Sequence, residues 1–320
     1  IYTEWTYAYQ YVDPSVVISY TGVGSGAGKT AIIDRTVDFA GSDSLLKQEQ
    51  YDANPDLQMY PMLAGAVVNV YNITWAQEVP SGTTLPKLVL DRQTLVDIFN
   101  GKITKWNDAQ ILTLNPGLVG YLPDADITVV HRSDGSGTTE IFTKALTSFS
   151  TDWIAGGASS VEWPVGEGGK GNQGVAAGVI NNPNSIGYVE LSFAVSNGMP
   201  FADMFNRSGK QVKADATSVE AAMAEFGNSF DAKFNATIVD GAADGSWPIT
   251  GYTYIILHTS TMTDCVKAQK LLEFLTWAQT DPAATQRASE LGYSVLPAAI
   301  RDQVLAKLHD VTCEGTPVLP

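Results

Sequence analysis

The chain has 320 residues, 44% hydrophobic and 17% charged, with a formal net charge of −15. That length holds two domains of ordinary size, and that apolar content excludes a disordered chain. The acidic balance argues against nucleic acid and anionic membranes, which need clustered Lys and Arg, but leaves room for a small anion in a local pocket screened from the distant field.

In chain order, IYTEWTYAYQYV opens with Tyr2, Trp5 and Tyr9 at helical spacing, which predicts a buried helix face. No secretory leader is read at Ile1, so the expectation is a mature or trimmed form. The run VVISYT (16–21) is expected to be a strand feeding the glycine-rich TGVGSGAGKT (21–30). That loop ends in Gly28-Lys29-Thr30, yet a Walker loop needs Gly where Val23 stands. Gly22, Gly24 and Ala27 fit the dinucleotide fingerprint better. Two readings stay open: an anion cradle built from free N–H groups at a helix start, with Gly24 and Ser25 in it, or a flexible turn.

VDFAGSDS (37–44) follows with Ser42 and Asp43. A carboxylate in an anion site can only accept, so Asp43 would favour a ligand that carries a proton and repel one that has none. GAVVNVY (65–71) reads as a strand, and QEVPSGTTLPK (77–87) as a crossing between lobes. A helix is expected over 91–101. In the FNGKITKWND that follows, Ile103 and Trp106 suit the core, and Lys102 and Lys105 suit solvent.

HRSDGSGTTEIF (131–142) is the most informative stretch. The strand 126–132 ends in Arg132, and a helix is expected over 138–149. Arg132 offers a two-pronged donor that Asp134 could orient, Ser136 and Thr138 carry hydroxyls, and Gly137 lets backbone come close. The other reading is an ordinary helix capped by Asp134 or Ser136, with Arg132 on the surface. WPVGEGGKGNQG (163–174) is expected to be a structural loop with Lys170 near a cleft mouth. Strands 185–191 and 253–258, helices 172–181, 217–227 and 264–279, and a second crossing at DGSWPITG (244–251) complete the pattern.

The alternation predicts an α/β fold with largely parallel sheets. Two crossings imply two lobes, 1–76 plus 250–320 and 77–249, with a ligand between them. Cys265 and Cys313 fit one disulfide or two buried thiols. Sequons at Asn72, Asn206 and Asn235 hint at a secretory route. His131, His258 and His309 form no zinc pattern and no Ser-His-Asp set, so neither a metal site nor catalysis is expected.

GVGSGAG (22–28), VDFAGSD (37–43), LVDIFNGKITKWND (95–108), HRSDGSGTT (131–139), WPVGEGGKGNQGVA (163–176), IGYVE (186–190) and WPIT (247–250) together resemble the phosphate-binding proteins of bacterial phosphate ABC transporters, in order and over nearly the whole chain. The resemblance implies a two-lobed Venus-flytrap fold that encloses one inorganic phosphate, with no other cofactor and no catalysis. It implies contacts from Ser25, Asp43, Arg132, Ser136, Gly137 and Thr138, with Asp134, Gly24 and Ser42 behind them. It also implies a periplasmic, cell-surface or secreted monomer that passes phosphate to the membrane components of a transporter. In that family a strand and a Thr-Phe-Pro turn precede the segment like IYTEWTYAYQ. Ile1 corresponds to a position inside the next helix, so the expectation is a first lobe short of one strand and a site short of two or three donors. An extracellular phosphate-sensing or protein-contact module is the alternative this raises. A nucleotide-dependent enzyme using residues 21–30 is a third reading, weakened by the Walker spacing and by the want of a carboxylate placed for Mg²⁺.

Overall fold

A computed structural model describes residues 1–227 and 229–319. Its organising element is the strand Leu57–Asn72, buried along all but its last residue. The sequence LQMYPMLAGAVVNVYN is almost continuously apolar, as a strand covered on both faces must be. Pro61 can donate no ladder hydrogen bond, and the register shifts between Pro61 and Leu63, so the break falls where the backbone lacks an N–H.

This one strand serves two half-sheets. Leu57–Ala66 pairs antiparallel with Thr250–His258, whose other edge carries Ala40–Ser42. Val67–Asn72 pairs antiparallel with Ser185–Glu190, which continues in parallel to Thr128–Arg132 and then Glu167–Gly169. Ser294–Val295 adds to the first half beside Leu63 and Ala64. Val89–Leu90, Asp203–Phe205 and Gln211–Val212 make a separate small sheet.

Helices cover both halves. Cys265–Thr280 and Pro282–Glu290 pack with Tyr2–Tyr9 on the first. The N-terminal helix buries Tyr2, Trp5 and Tyr9 as its spacing predicts, and Trp5 donates its indole N–H to the Ala284 carbonyl at 2.9 Å. Gly137–Phe149 and Gly171–Asn181 lie on the second half. Ile103 and Trp106 are core, and Lys102 and Lys105 are half in solvent.

Two expectations change. The sheet is mixed rather than largely parallel, because the two longest strands, Leu57–Asn72 and Thr250–His258, run against each other. The run 16–21 is an irregular extended segment with alternate residues exposed, Val17 among them. Its β-branched content satisfies strand propensity, but propensity without a neighbouring edge makes no strand. It borders, with residues 36–43, a cavity of about 920 Å³ that Ser25 also lines. Two of the three sequon asparagines also serve the fold: the Asn72 amide donates to the Val179 and Ile180 carbonyls, and the buried Asn206 amide to those of Ala243 and Asp244.

Of the two readings for the cysteines, the disulfide is the one found. Cys265 and Cys313 are bonded, with Cα atoms 5.4 Å apart, which ties the C-terminal segment to the start of the Cys265–Thr280 helix.

Candidate anion-binding site

Each lobe sends a loop and a helix start into the space between them. In the first lobe Gly24 is the N-cap of helix Ser25–Ile33. Its φ of 89° lies in the left-handed region, and a Cβ there would sit 2.9 Å from Asp134 Oδ2 and 3.4 Å from Arg132 Nη2. Glycine is required both by the turn and by the approach of the opposite lobe.

In the second lobe, strand Thr128–Arg132 delivers Arg132 at its end, and helix Gly137–Phe149 begins five residues later. Ser136 is the cap, with its hydroxyl oxygen accepting the Thr139 N–H at 3.1 Å. That leaves the Ser136 hydroxyl proton free for another acceptor. Arg132 is 6% exposed, so the surface reading of this residue fails. Its Nε donates to Asp134 Oδ1 at 2.8 Å and its Nη2 to Oδ2 at 2.6 Å, a two-pronged pair that fixes the guanidinium plane. Burial pushes the Asp134 carboxyl up, but the Arg132 bonds and the Gly171 N–H at 2.9 Å outweigh it and hold the group below its ordinary range. Asp134 is therefore a carboxylate at neutral pH, and Arg132 keeps Nη1 for other partners, of which Asn172 Oδ1 stands at 3.5 Å.

The two loops meet at Ser25. Its hydroxyl oxygen accepts the Asp43 N–H and the Gly137 N–H, both at 3.1 Å, and Gly26 N–H donates to the Gly135 carbonyl at 3.0 Å. A side chain on Gly137 would strike Asp43 Cβ and Ser25 Oγ, each 2.5 Å from the Cβ position. Asp43 faces the Thr253 hydroxyl and feels Arg132. Burial raises its carboxyl above the ordinary value, and those two neighbours draw it back. Thr138 is buried one residue into the helix.

Ser25, Asp43, Arg132, Asp134, Gly137 and Gly24 are thus brought together, with Ser136 and Thr138 beside them. Ser42 turns away: its hydroxyl donates to the Ser44 carbonyl at 2.7 Å and braces the turn. Two neighbours escaped the sequence reading. Gly171 and Asn172 lie in the stretch expected to be only structural, yet they reach Asp134 and Arg132. The signal was the second Gly-rich helix start after a strand, at Gly169-Lys170-Gly171. His131 stacks on Trp163 with ring centroids 4.8 Å apart, and His258 lies buried between Asp56 and the Ile32 carbonyl, so both serve packing.

The arrangement concentrates donors: an Arg with a fixed plane, two helix N-termini, and hydroxyls from Ser and Thr, with one half-buried acceptor in Asp43. That set suits a tetrahedral oxyanion carrying one proton. Among the described residues, no group of three or more His, Cys, Asp or Glu is placed to hold a metal ion.

Known proteins resemble this chain in sequence and fold. The model of the PBP superfamily domain matches residues 1–282. The Phosphate-binding protein PstS of Xylella fastidiosa is 40% identical over 293 residues, 90% of this chain and 76% of that protein. The solved structure of the high affinity periplasmic phosphate-binding protein PfluDING bound with phosphate superposes with a TM-score of 0.70 at 22% identity, covering 91% of this chain and 87% of that one, a likeness of fold. A putative serine/threonine-protein kinase/receptor of Acanthamoeba polyphaga mimivirus is 29% identical over 272 residues, 81% of this chain but 16% of its own length. These relatives and the two-lobed α/β architecture lead to one conclusion: this chain belongs to the PBP superfamily and, within it, to the family of the phosphate-binding protein PstS.

Proposed function

We propose that this chain captures hydrogenphosphate between its lobes and releases it to the membrane components of an ABC transporter, as a binding protein and not an enzyme. The observation that carries the reading is the buried Arg132, locked by Asp134 at 2.6 and 2.8 Å and aimed where two helix N-termini converge. Arg132 neutralises charge, the Ser25, Ser136 and Thr138 hydroxyls donate, the Gly137 N–H turns from the Ser25 hydroxyl to the ligand, and Asp43 accepts the ligand's proton. Asp134 and Gly24 hold these groups in place, and Ser42 braces the turn that presents Asp43. The lobes are 1–76 plus 250–320 and 77–249, acting in a monomer. The second segment includes a strap at 231–236 that bonds back to the first lobe through Lys233 and the Leu57 carbonyl and through Ala236 and Tyr254. We assign the chain to the periplasm, the cell surface or a secreted pool; the Cys265–Cys313 bond fits an oxidising compartment.

Calorimetric titration of the ligand-stripped chain with phosphate and sulfate at neutral pH tests this. Phosphate binding at micromolar or tighter affinity with sulfate silent is the expected result. Equal binding of sulfate would refute the role of Asp43. If both are silent, the same titration on a version extended upstream decides whether donors or function are lacking.

A second reading is an extracellular phosphate-sensing or protein-contact module. The mimivirus relative favours it, since there a segment like this one forms a sixth of a much longer kinase/receptor-named chain. Tight binding of phosphate without any effect on uptake when the chain is deleted would support it.

A further inference from the structure

One turn into the second lobe's helix, beyond every residue assigned to the anion, Glu140 reaches back across the cleft. Its Oε1 accepts the backbone N–H of Leu45 at 3.2 Å and the ammonium of Lys144, on its own helix, at 2.7 Å. Leu45 belongs to the first lobe, two residues after Asp43. Its carbonyl accepts the Nζ of Lys29 at 3.0 Å. One peptide segment is therefore gripped from both lobes, by Lys29 from the first and Glu140 from the second. Lys29 is 7% exposed and Glu140 8%. The electrostatics agree: burial lowers the proton affinity of Lys29, and the negative charge of Glu140 partly restores it.

We infer that Glu140, with Lys29 setting the orientation of the Leu45 peptide, is a closure latch: a positioning pair that holds the lobes together without touching the ligand. The inference rests on the reading of the cleft as an anion trap. The contact spans the two lobes, so it exists only when they are shut. Interactions made only in the closed state slow ligand escape and leave capture by the open state unchanged. The latch is also dry enough to count. A carboxylate that is nearly buried and shared between two donors keeps most of its hydrogen-bond strength, whereas an exposed ion pair loses it to water.

The test compares the wild-type chain with Glu140→Ala and Glu140→Gln, using stopped-flow phosphate kinetics and amide hydrogen exchange at Leu45. Glu140→Ala is expected to speed dissociation roughly tenfold, the worth of one hydrogen bond to a charged group. Association should change less than about twofold, as expected when mutants of one site differ mainly in escape rate. The Leu45 amide should lose protection. Glu140→Gln keeps an acceptor oxygen and should restore most of both. Dissociation within twofold of wild type together with unchanged Leu45 protection would overturn the latch, and so would a Gln variant as impaired as the Ala variant. Where Glu140→Ala does not fold, Lys29→Met, which leaves Glu140 in place, carries the same comparison. If the wild type binds no phosphate, the functional reading fails; Leu45 protection that is lost in Glu140→Ala then still supports the contact between the lobes, and equal protection in both proteins overturns it.

Discussion

Arg132 shows how much a single carboxylate can contribute at second hand. Two bonds from Asp134 fix the guanidinium, and the Gly171 N–H fixes Asp134. Asp134→Ala should leave Arg132 charged but free to rotate. Losing one to two aimed, charge-assisted bonds predicts a phosphate affinity about ten- to a hundredfold weaker by calorimetry. A change below twofold would mean that Arg132 is held by something else. Glu190 gives a prediction of a different kind. Its Oε1 is buried without a partner, while Oε2 takes the Ser192 N–H. Burial raises its carboxyl from 4.5 to about 6, against the pull of the Ser192 bonds. A raised acid contributes stability while protonated, full below about pH 4.5 and lost as pH climbs through about 6. The loss comes to about 2 kcal/mol. Relative to wild type, Glu190→Gln should therefore gain about that amount between pH 4 and pH 7. Denaturant melts at those two pH values check it, and a constant difference between the two proteins would contradict it.

At the scale of elements, the helix starts and the long strand carry the design. The caps are local: Ser136 on Thr139, Asp264 on Lys267 and Asp215 on Ser218 each satisfy an early N–H. The strand Leu57–Asn72 is not local, since it links two half-sheets that have no other shared strand among the described residues. The helix Cys265–Thr280 is pinned by its disulfide across a sequence separation of 48. Loop-closure entropy puts that at about 4 kcal/mol, less whatever structure the unfolded chain retains. Replacing both cysteines by serine should lower unfolding stability by roughly 2–4 kcal/mol. Phosphate affinity should hold, because Cys265 and Cys313 belong to none of the site's contacts. Loss of binding in a folded double variant would show that the C-terminal segment acts on the cleft.

The whole molecule sets a puzzle of charge. A protein of net charge −15 is proposed to take an anion. The local donors win at contact, but the distant field repels an approaching dianion. The Debye length shrinks from about 30 Å at 0.01 M salt to about 8 Å at 0.15 M. Phosphate association should therefore rise severalfold over that range while selectivity over sulfate stays fixed. Stopped-flow rates at graded ionic strength decide it. A rate that falls with salt would show that the positive mouth of the cleft dominates the approach.

Much was legible in the sequence. Alternation of apolar runs with amphipathic segments located the central strands and the longer helices, because both depend on neighbours close in sequence, but missed the small sheet of Val89–Leu90, Asp203–Phe205 and Gln211–Val212 and the helices Pro282–Glu290 and Ala298–Leu308. The motif HRSDGSGTT carried the chemistry of its loop for the same reason: strand end, cap and donors all lie within nine residues. The rest needed the third dimension. The strand expected at 16–21 is an extended segment, since a strand exists only where an edge meets it, and no local pattern encodes the edge. The antiparallel pairing of Leu57–Asn72 with Thr250–His258 joins residues nearly 200 apart in the chain. Gly171, Asn172 and Glu140 look like ordinary helix-start residues until the folded chain sets them against Asp134, Arg132 and Leu45. Sequence alone determined which local pieces the chain contains and what each could donate. Tertiary structure decided which donors face one another, because that depends on contacts whose closure entropy only the assembled core can offset.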